Sequence, residues 1–138
     1  MPITCNVKDF MSTNPVTLSP DTDVMTAVHM LTEMRVPGAP VVDQVGNLVG
    51  YLAERDCLVA ALNAAYHHES GGPVSEYMHG EIATVDVETS ITDVAQLLIE
   101  SGNRGYPVVK DDRLIGQIHR SDVLKALTLW RESPRGKE

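Results

Sequence analysis

The chain has 138 residues, of which 43% are hydrophobic and 22% are charged, and this composition excludes a disordered or fibrous protein. Its formal net charge of −8 argues against a surface that binds nucleic acid or anionic lipid. We expect a cytoplasmic protein, because no apolar run is long enough for a transmembrane helix, no secretory signal opens the sequence, and Cys5 and Cys57 are too few for a disulfide framework.

The first half of the chain predicts a strand, a helix, a β-hairpin and a second helix. Short β-branched runs indicate the strands, and apolar residues three or four positions apart indicate the helices. The hairpin turn contains Gly46 and Asn47, residue types that tolerate the left-handed backbone of tight turns. In chain order we expect the strand 16–18, a helix that starts in the polar cluster 19–22 and ends at Gly38, the hairpin strands 41–42 and 48–49, and a helix over 54–66.

The second half predicts the same order after a linker at residues 67–73, which contains the stop Ser-Gly-Gly-Pro. Thr89 and Ser90 with Asp93 resemble a capping box for its first helix, with Asp in place of the usual Glu. In chain order we expect the strand 82–85, a helix from Ile91 that Gly105 ends, the hairpin strands 108–109 and 114–115 across Asp111 and Asp112, and a helix over 121–130.

The two halves are copies of one unit. Shifted by 67 residues the chain matches itself at ten positions, and after one residue is lost in the hairpin turn it matches at five more with a shift of 66. Each copy alone would have a marginal core, so we expect two pseudo-symmetric units that pack sheet to sheet. The matched pairs include Val7 with Val74, Met11 with Met78, Gly38 with Gly105, Gly50 with Gly116 and Asp56 with Asp122.

Three marks in each copy resemble the CBS domain family, and two full sets in order resemble a tandem CBS pair, also called a Bateman module. The resemblance covers Val7 to Leu127. The marks are Val-x-x-Phe-Met at 7–11 and Val-x-x-Tyr-Met at 74–78, Gly-Ala-Pro-Val-Val-Asp at 38–43 and Gly-Tyr-Pro-Val-Val at 105–109, and Gly-x-x-x-x-x-Asp at 50–56 and 116–122.

The resemblance implies an α+β fold of two β-α-β-β-α repeats. Family pairs bind adenine nucleotides (AMP, ADP, ATP) or S-adenosylmethionine in the clefts between repeats, and many act as regulatory sensors. We therefore expect a non-catalytic adenosyl-binding sensor with no required cofactor, which forms a homodimer through its helices and has no nucleic-acid or membrane partner. The expected boundaries are repeat 1 at 1–66, a linker at 67–73, repeat 2 at 74–130 and a tail at 131–138.

Asp56 and Asp122 match the ribose-binding aspartate of the family. A fixed carboxylate accepts charge-assisted hydrogen bonds from a ribose diol, and the free amides of a helix start suit a phosphate. From composition alone, ordinary first-turn helix residues would be the simpler interpretation of both. Arg55, Arg104 and Arg120 are candidate phosphate ligands, with solvated surface arginines as the alternative.

By the resemblance, each cleft combines the early strand and pre-hairpin loop of one copy with the aspartate of the other. Gly38 and Gly105 would let the backbone approach an adenine closely, or would simply end the preceding helices. One cleft would join Thr17, Leu18, Val36, Pro37, Gly38, Ala39 and Pro40 to His119, Arg120 and Asp122, and the other would join Ile82, Ala83, Thr84, Arg104, Gly105, Tyr106 and Pro107 to Ala53, Arg55 and Asp56.

The chain departs from the family pattern three residues after the motif glycine, where Ser or Thr is frequent. Ala53 has no hydroxyl group to donate, whereas His119 either offers a polar group or fills its cleft. We therefore expect Asp122→Ala to remove more of the ligand response than Asp56→Ala. The alternative function is a CBS-fold dimerisation or docking module whose degenerate clefts bind no nucleotide.

The remaining reactive residue types predict no further chemistry. His67, His68 and Glu69 are adjacent, but no second cluster has ligand spacing, so we expect no metal site. Cys57 stands among apolar helix residues without an activating base, which predicts a packed thiol. The sequence contains no glycine-rich phosphate loop and no hydrolase or kinase motif.

Overall fold

The computed structural model describes residues 5–67 and 71–132 and divides the chain into two compact units. One runs from Val16 to Ile82, and we call it the central unit. The other combines the residues up to Pro15 with those from Ala83 onward, and we call it the terminal unit. Each unit therefore contains the main part of one repeat and the first residues of the other, which we call the lead segment: residues 5–15 of the first repeat and 74–82 of the second.

The central unit contains two helices, a two-stranded sheet and one turn of 3-10 helix. The order of helices and hairpin strands is the one that the sequence predicts. In chain order the elements are α1 (Val24–Met34), β1 (Ala39–Val42), β2 (Leu48–Leu52), α2 (Glu54–His67) and the 3-10 turn Val74–Glu76.

Helix α1 is confirmed, but its ends differ from the prediction. Its N-cap is Asp23, whose side chain accepts a hydrogen bond from the backbone N–H of Thr26, so the polar cluster 19–22 lies before the helix. The helix ends at Met34 because Arg35 takes the left-handed conformation, with φ of 58°, and its backbone N–H caps the last turn. The prediction that Gly38 ends this helix is wrong.

Strands β1 and β2 form the predicted antiparallel hairpin, and Gly46 in its turn has φ of 92°. The predicted strand 16–18 is reduced to a single parallel bridge between Leu18 and Val41. Pro15 and Pro20 flank this segment and carry no backbone N–H, which limits its pairing to the middle.

The terminal unit contains the second pair of helices and a three-stranded sheet in the order β3-β4-β5. Strand β3 runs parallel to β4, and β4 runs antiparallel to β5. The predicted turn at Asp111 and Asp112 is confirmed, and these residues have φ of 51° and 66°. The elements are the 3-10 turn Val7–Asp9, β3 (Val85–Asp86), α3 (Ile91–Ser101), β4 (Gly105–Lys110), β5 (Arg113–His119) and α4 (Arg120–Glu132).

Helix α3 starts where the sequence predicts and ends before the predicted stop. Ser90 is its N-cap, and the side chain of Ser90 accepts a hydrogen bond from the backbone N–H of Asp93. The helix ends at Ser101, where Gly102 adopts φ of 73°. The prediction that Gly105 ends this helix is wrong, because Gly105 is the first residue of β4.

The remaining boundaries shift by small steps. Strand β3 begins at the last residue of the predicted strand 82–85, because Val85 is buried and the two residues before it are exposed. Helix α4 begins one residue earlier and ends two residues later than the prediction. Residues 68–70 of the predicted linker and 133–138 of the predicted tail lie outside the described residues. Within residues 5–67 and 71–132, no helix is both long and apolar enough to cross a membrane.

Each unit has its own apolar core. The lead segment of each repeat packs in the core that is formed mainly by the other repeat. Val7 is fully buried in the terminal core, and Val74 is fully buried in the central core. Val7 N–H donates to the Thr89 carbonyl at 2.9 Å, and Val74 N–H donates to the Thr22 carbonyl at 2.8 Å. These two hydrogen bonds join equivalent positions of the repeat, so each lead segment docks in the same way.

Candidate functional site

Asp56 stands in the first turn of α2, where it caps the start of the helix. Its Oδ2 accepts a hydrogen bond of 2.8 Å from the backbone N–H of Ala53, the residue before the helix. Asp56 is only 7% exposed and is the one buried charged residue in the part of the chain that the structure describes. Because a buried carboxylate is costly without partners, the contact with Ala53 both satisfies and orients it.

A histidine from the lead segment of the second repeat contacts the other oxygen of Asp56. His79 and Tyr51 exchange two backbone hydrogen bonds of 2.9 and 3.0 Å, which join the lead segment to the free edge of β2. The imidazole Nε2 of His79 lies 3.1 Å from Asp56 Oδ1, although the side chain of His79 is 57% exposed. Sequence reasoning missed His79, and the only signal was its place directly after the Val-x-x-Tyr-Met mark.

Asp122 has the equivalent place at the start of α4. Its Oδ2 accepts a hydrogen bond of 2.8 Å from the backbone N–H of His119. The imidazole Nδ1 of His119 lies 3.6 Å from that same oxygen, beyond hydrogen-bond distance. The side chain of Asp122 is 28% exposed, so Asp122 is more accessible than Asp56. In both aspartates a backbone N–H binds Oδ2. The histidines differ, because His79 lies beside Oδ1 of Asp56 and His119 lies nearer to Oδ2 of Asp122.

The three predicted phosphate ligands differ in what their side chains contact. The guanidinium of Arg120 donates to the carbonyl oxygens of Gly102 and Asn103, at 2.8 and 3.0 Å. These carbonyls lie just after α3, so Arg120 caps that helix end and ties it to the start of α4. Arg55 and Arg104 are exposed and form no side-chain hydrogen bond or ion pair with other described residues.

Gly38 and Gly105 stand where the backbone of the paired strand comes close. A Cβ atom at Gly38 would lie 2.6 Å from the carbonyl oxygen of Leu52, and one at Gly105 would lie 2.6 Å from that of Ile118. Such separations are shorter than van der Waals contact, so a side chain at either position would displace the strand. The close approach of a neighbouring strand therefore explains both glycines. The strand is β2 at Gly38 and β5 at Gly105, and each of these strands precedes a helix that bears one of the aspartates.

The remaining predicted site residues divide by exposure. Tyr106 is buried, and its hydroxyl donates to Ser101 Oγ at 2.6 Å, which ties β4 to the end of α3. The side chain of Leu18 is also buried, and its backbone N–H and carbonyl pair with Pro40 and Val42. The exposed or half-buried members are Thr17, Val36, Pro37, Ile82, Ala83 and Thr84, and the other buried members are Ala39, Pro40 and Pro107.

The structure brings predicted site residues together within each unit. In the central unit Gly38 lies beside Ala53, so the pre-hairpin loop borders the start of the helix that bears Asp56. In the terminal unit Gly105 lies beside His119 in the same way, next to Asp122. The predicted clefts combine residues of both units, and that combination stays a prediction.

Neither cysteine has the environment of a nucleophile. Burial, followed by the negative charges of Asp56 and Glu54, raises the pKa of the Cys57 thiol. Burial is also the main cause that raises the pKa of Cys5. The described residues include no group of three or more side chains that could hold a metal ion, and His68, Glu69 and the side chain of His67 lie outside them.

A family model described as the CBS domain matches the chain twice, at residues 7–63 and 74–129. The chain belongs to the CBS domain family. Its two matches correspond to the two repeats, which confirms the tandem CBS pair. The pair is 32% identical over 118 residues to the CBS domain-containing protein YhcV of Bacillus subtilis, an alignment that covers 86% of this chain and 82% of YhcV.

Solved CBS pairs share the fold and confirm the predicted α+β class with two repeats. CBSX2 in complex with AMP is 33% identical with a TM-score of 0.78 and covers 91% of this chain and 98% of its own; CBSX2 comes from Arabidopsis thaliana. The CBS pair of protein MJ0100 in complex with 5′-methylthioadenosine and S-adenosyl-L-methionine is 25% identical with a TM-score of 0.71 and covers 99% and 100%. Some relatives are longer, since the chain spans 42% of the uncharacterised protein MJ1225 of Methanocaldococcus jannaschii and 14% of the A-adding tRNA nucleotidyltransferase of Aquifex aeolicus.

Proposed function

We propose that this CBS pair is a cytoplasmic regulatory module that binds an adenosyl ligand, either AMP, ADP or ATP or S-adenosylmethionine, and catalyses no reaction. The observation that carries the proposal is the anchored carboxylate of each repeat. Asp56 and Asp122 each have one oxygen held by a backbone N–H at a helix start. A carboxylate that is already oriented accepts hydrogen bonds from a ribose diol with little further ordering.

The related structures support the same ligand class. CBSX2 was solved with AMP, and the MJ0100 pair was solved with 5′-methylthioadenosine and S-adenosylmethionine. These ligands share an adenosine and differ in what the 5′ position carries. We therefore assign the two aspartates to the shared ribose and the pre-hairpin loops around Gly38 and Gly105 to the adenine.

Arg55 and Arg104 are the proposed contacts for a 5′-phosphate. Both guanidinium groups are exposed and form no hydrogen bond or ion pair with another described residue. Arg55 stands in the first turn of α2, where the backbone amides also favour an anion. Arg120 ranks behind them because its guanidinium already binds two carbonyl oxygens. A phosphate would have to displace those contacts.

A second candidate function, dimerisation or docking without nucleotide, is favoured by apolar side chains on the helices. Helices α3 and α4 form an apolar groove, and its members Ile99 and Leu124 are 76% and 64% exposed. Leu58 and Leu62 of α2 are also more than half exposed. We propose that a second copy of the chain covers the α3–α4 groove and the exposed leucines of α2. The homodimer is then the form of the protein in which the predicted clefts occur.

Calorimetric titration separates the two candidate functions. AMP, ADP, ATP and S-adenosylmethionine are titrated into the wild-type chain and into Asp56→Asn, Asp122→Asn and the double variant. We expect at least one of these ligands to bind, and each single substitution to weaken its own site about tenfold or more, because a hydrogen bond to a charged group is lost. Failure of all four ligands to bind would leave the docking function.

A further inference from the structure

Both residues of the contact between His79 and Asp56 are anchored by hydrogen bonds to other residues of the central unit. The backbone of His79 is fixed on the edge of β2 by its two hydrogen bonds to Tyr51. Asp56 is fixed at the start of α2 by Ala53. The 3.1 Å separation between Nε2 and Oδ1 therefore joins two anchored residues. An exposed histidine on a flexible loop would not have this constraint.

The contact leaves acceptor positions on the Asp56 carboxylate unfilled by described residues. Two carboxylate oxygens together accept about four hydrogen bonds. The backbone N–H of Ala53 takes one acceptor position on Oδ2 of Asp56, and the imidazole of His79 lies beside Oδ1. No other described residue donates a hydrogen bond to this carboxylate, so at least one acceptor position remains on each oxygen, which is the number that two hydroxyl groups of a ribose need. With a backbone N–H bound to Oδ2 and an imidazole beside Oδ1, both oxygens of the carboxylate have a neighbour that restrains its orientation.

The terminal unit lacks this second hold. Ser12 occupies the position of His79 in the repeat and exchanges two backbone hydrogen bonds with Gln117, of 2.8 and 3.0 Å. The side chain of Ser12 makes no hydrogen bond to Asp122 in the described structure, and His119 stands nearer to the oxygen that the backbone already holds. Both units thus share this backbone pairing, but only the central unit has a histidine, His79, at the paired position, where the terminal unit has Ser12.

We propose that His79 is the positioning residue of the Asp56 half-site, by which we mean Asp56 and the residues of the central unit around it. His79 supplies there the polar side chain that Ala53 lacks. This inference rests on the proposed function, in which Asp56 accepts the ribose hydroxyls. His79 acts through Asp56: it holds Oδ1 so that the carboxylate presents its remaining acceptor positions in one orientation. The Asp56 half-site is then the better ordered of the two, which is the opposite of the ranking expected from Ala53 and His119 in the sequence.

The test uses AMP as the probe and calorimetry as the measurement, in the Asp122→Asn background so that only the Asp56 site is observed. His79→Ser installs the residue that the first repeat carries at this position, and His79→Gln retains a side-chain N–H donor. His29→Ala is the matched control, because His29 forms an exposed pair with Glu33 on α1 and has no hydrogen bond or ion pair with Asp56 in the described structure. A urea unfolding curve of each variant checks that the chain is folded.

We expect His79→Ser to weaken AMP binding about tenfold, His79→Gln to recover most of that loss and His29→Ala to change nothing. Recovery by Gln distinguishes positioning from a stability effect, as does an unchanged urea midpoint. Unchanged or tighter AMP binding by His79→Ser overturns the inference, and tighter binding would mean that His79 competes with the ligand.

The wild-type chain separates the failure of this inference from that of the proposed function. If the wild-type chain binds AMP and the Asp122→Asn background does not, the Asp56 half-site is not a ligand site and only the role of His79 is overturned. If the wild-type chain binds no adenosyl ligand, the proposed function is overturned, and the ligand role of His79 falls with it.

Discussion

At the scale of single residues, Gly38 is constrained by the strand that it faces. A methyl group there would lie 2.6 Å from the carbonyl oxygen of Leu52 and 2.9 Å from the ring of Tyr51. Because the carbonyl belongs to a paired strand, it has little freedom to move away. We expect Gly38→Ala to lower the free energy of unfolding by about 1–3 kcal/mol, measured by urea denaturation.

Gly80→Ala is the control for this substitution in the same unit. A Cβ atom at Gly80 would meet no atom within 4 Å, and its backbone does not require glycine. We expect its urea midpoint to stay within error of the wild type or to rise slightly. Equal midpoints for the two variants would show that the β1–β2 hairpin relaxes around the added methyl group.

The thiol of Cys57 gives a prediction about pH. Burial and the neighbouring acids raise its pKa, so its reactive thiolate is scarcer at neutral pH than that of a free cysteine and becomes common only at higher pH. We expect alkylation of Cys57 by iodoacetamide, followed by mass spectrometry, to be slower than that of glutathione at pH 7 and to accelerate as the pH rises. Reaction faster than glutathione at pH 7 would contradict the raised pKa.

The repeat identified the aspartates, and the contacts around them could not be predicted from sequence. Asp56 and Asp122 stand out because both copies carry them at one motif position. The expected ranking of the two rested on Ala53 and His119, the neighbours in sequence. His79 is 23 residues from Asp56 in the chain and reaches it only because the lead segment pairs with β2. Periodicity within one segment carries no information about such an edge pairing.

At the scale of elements, the lead segments are structural parts of the units that they complete. Val7 is fully buried, while its neighbour Lys8 forms an exposed ion pair of 3.2 Å with Glu88. We expect Val7→Ala to lower the free energy of unfolding by about 2 kcal/mol and Lys8→Ala to lower it by less than about 1 kcal/mol.

Hydrogen exchange shows where the effect of Val7→Ala falls. Because Val7 packs in the terminal core, we expect the loss of amide protection in α3 and β4 to exceed that in α1. Greater loss in α1 would mean that the first lead segment stabilises its own repeat instead. Lys8→Ala serves as the baseline for both measurements.

Helices and hairpins were predictable, and their ends and the short strands were not. The spacing of Val24, Ala27 and Leu31 identifies α1 because these side chains share one buried face. The end of α1 depends on Arg35 in a left-handed conformation, which arginine adopts rarely and which local sequence does not indicate. The segment at Leu18 pairs with β1 through a single bridge. A strand predicted from the β-branched and apolar residues 16–18 is therefore too long.

At the scale of the whole molecule, the exposed apolar groove of α3 and α4 predicts self-association. We expect light scattering at micromolar concentration to give twice the chain mass of 15.0 kDa. Ile99→Asp combined with Leu124→Asp places two charges in the groove and should give the mass of one chain. Lys125→Asp is the control, because Lys125 lies on the same helix and does not line the groove. A wild-type mass near 15 kDa would contradict the dimer.

The central claim, that Asp56 and Asp122 serve an adenosyl ligand, is tested most directly by thermal unfolding of the wild type and of the Asp56→Asn, Asp122→Asn double variant with AMP. At 100 times its Kd, a ligand that binds only the folded chain adds about 2.7 kcal/mol, which raises the Tm by about 5–10 °C. We predict that rise in the wild type, a smaller one with GMP, and none in a double variant that melts normally without ligand. A full rise in the double variant, or none in the wild type with AMP, ATP or S-adenosylmethionine at about 10 mM, would contradict it.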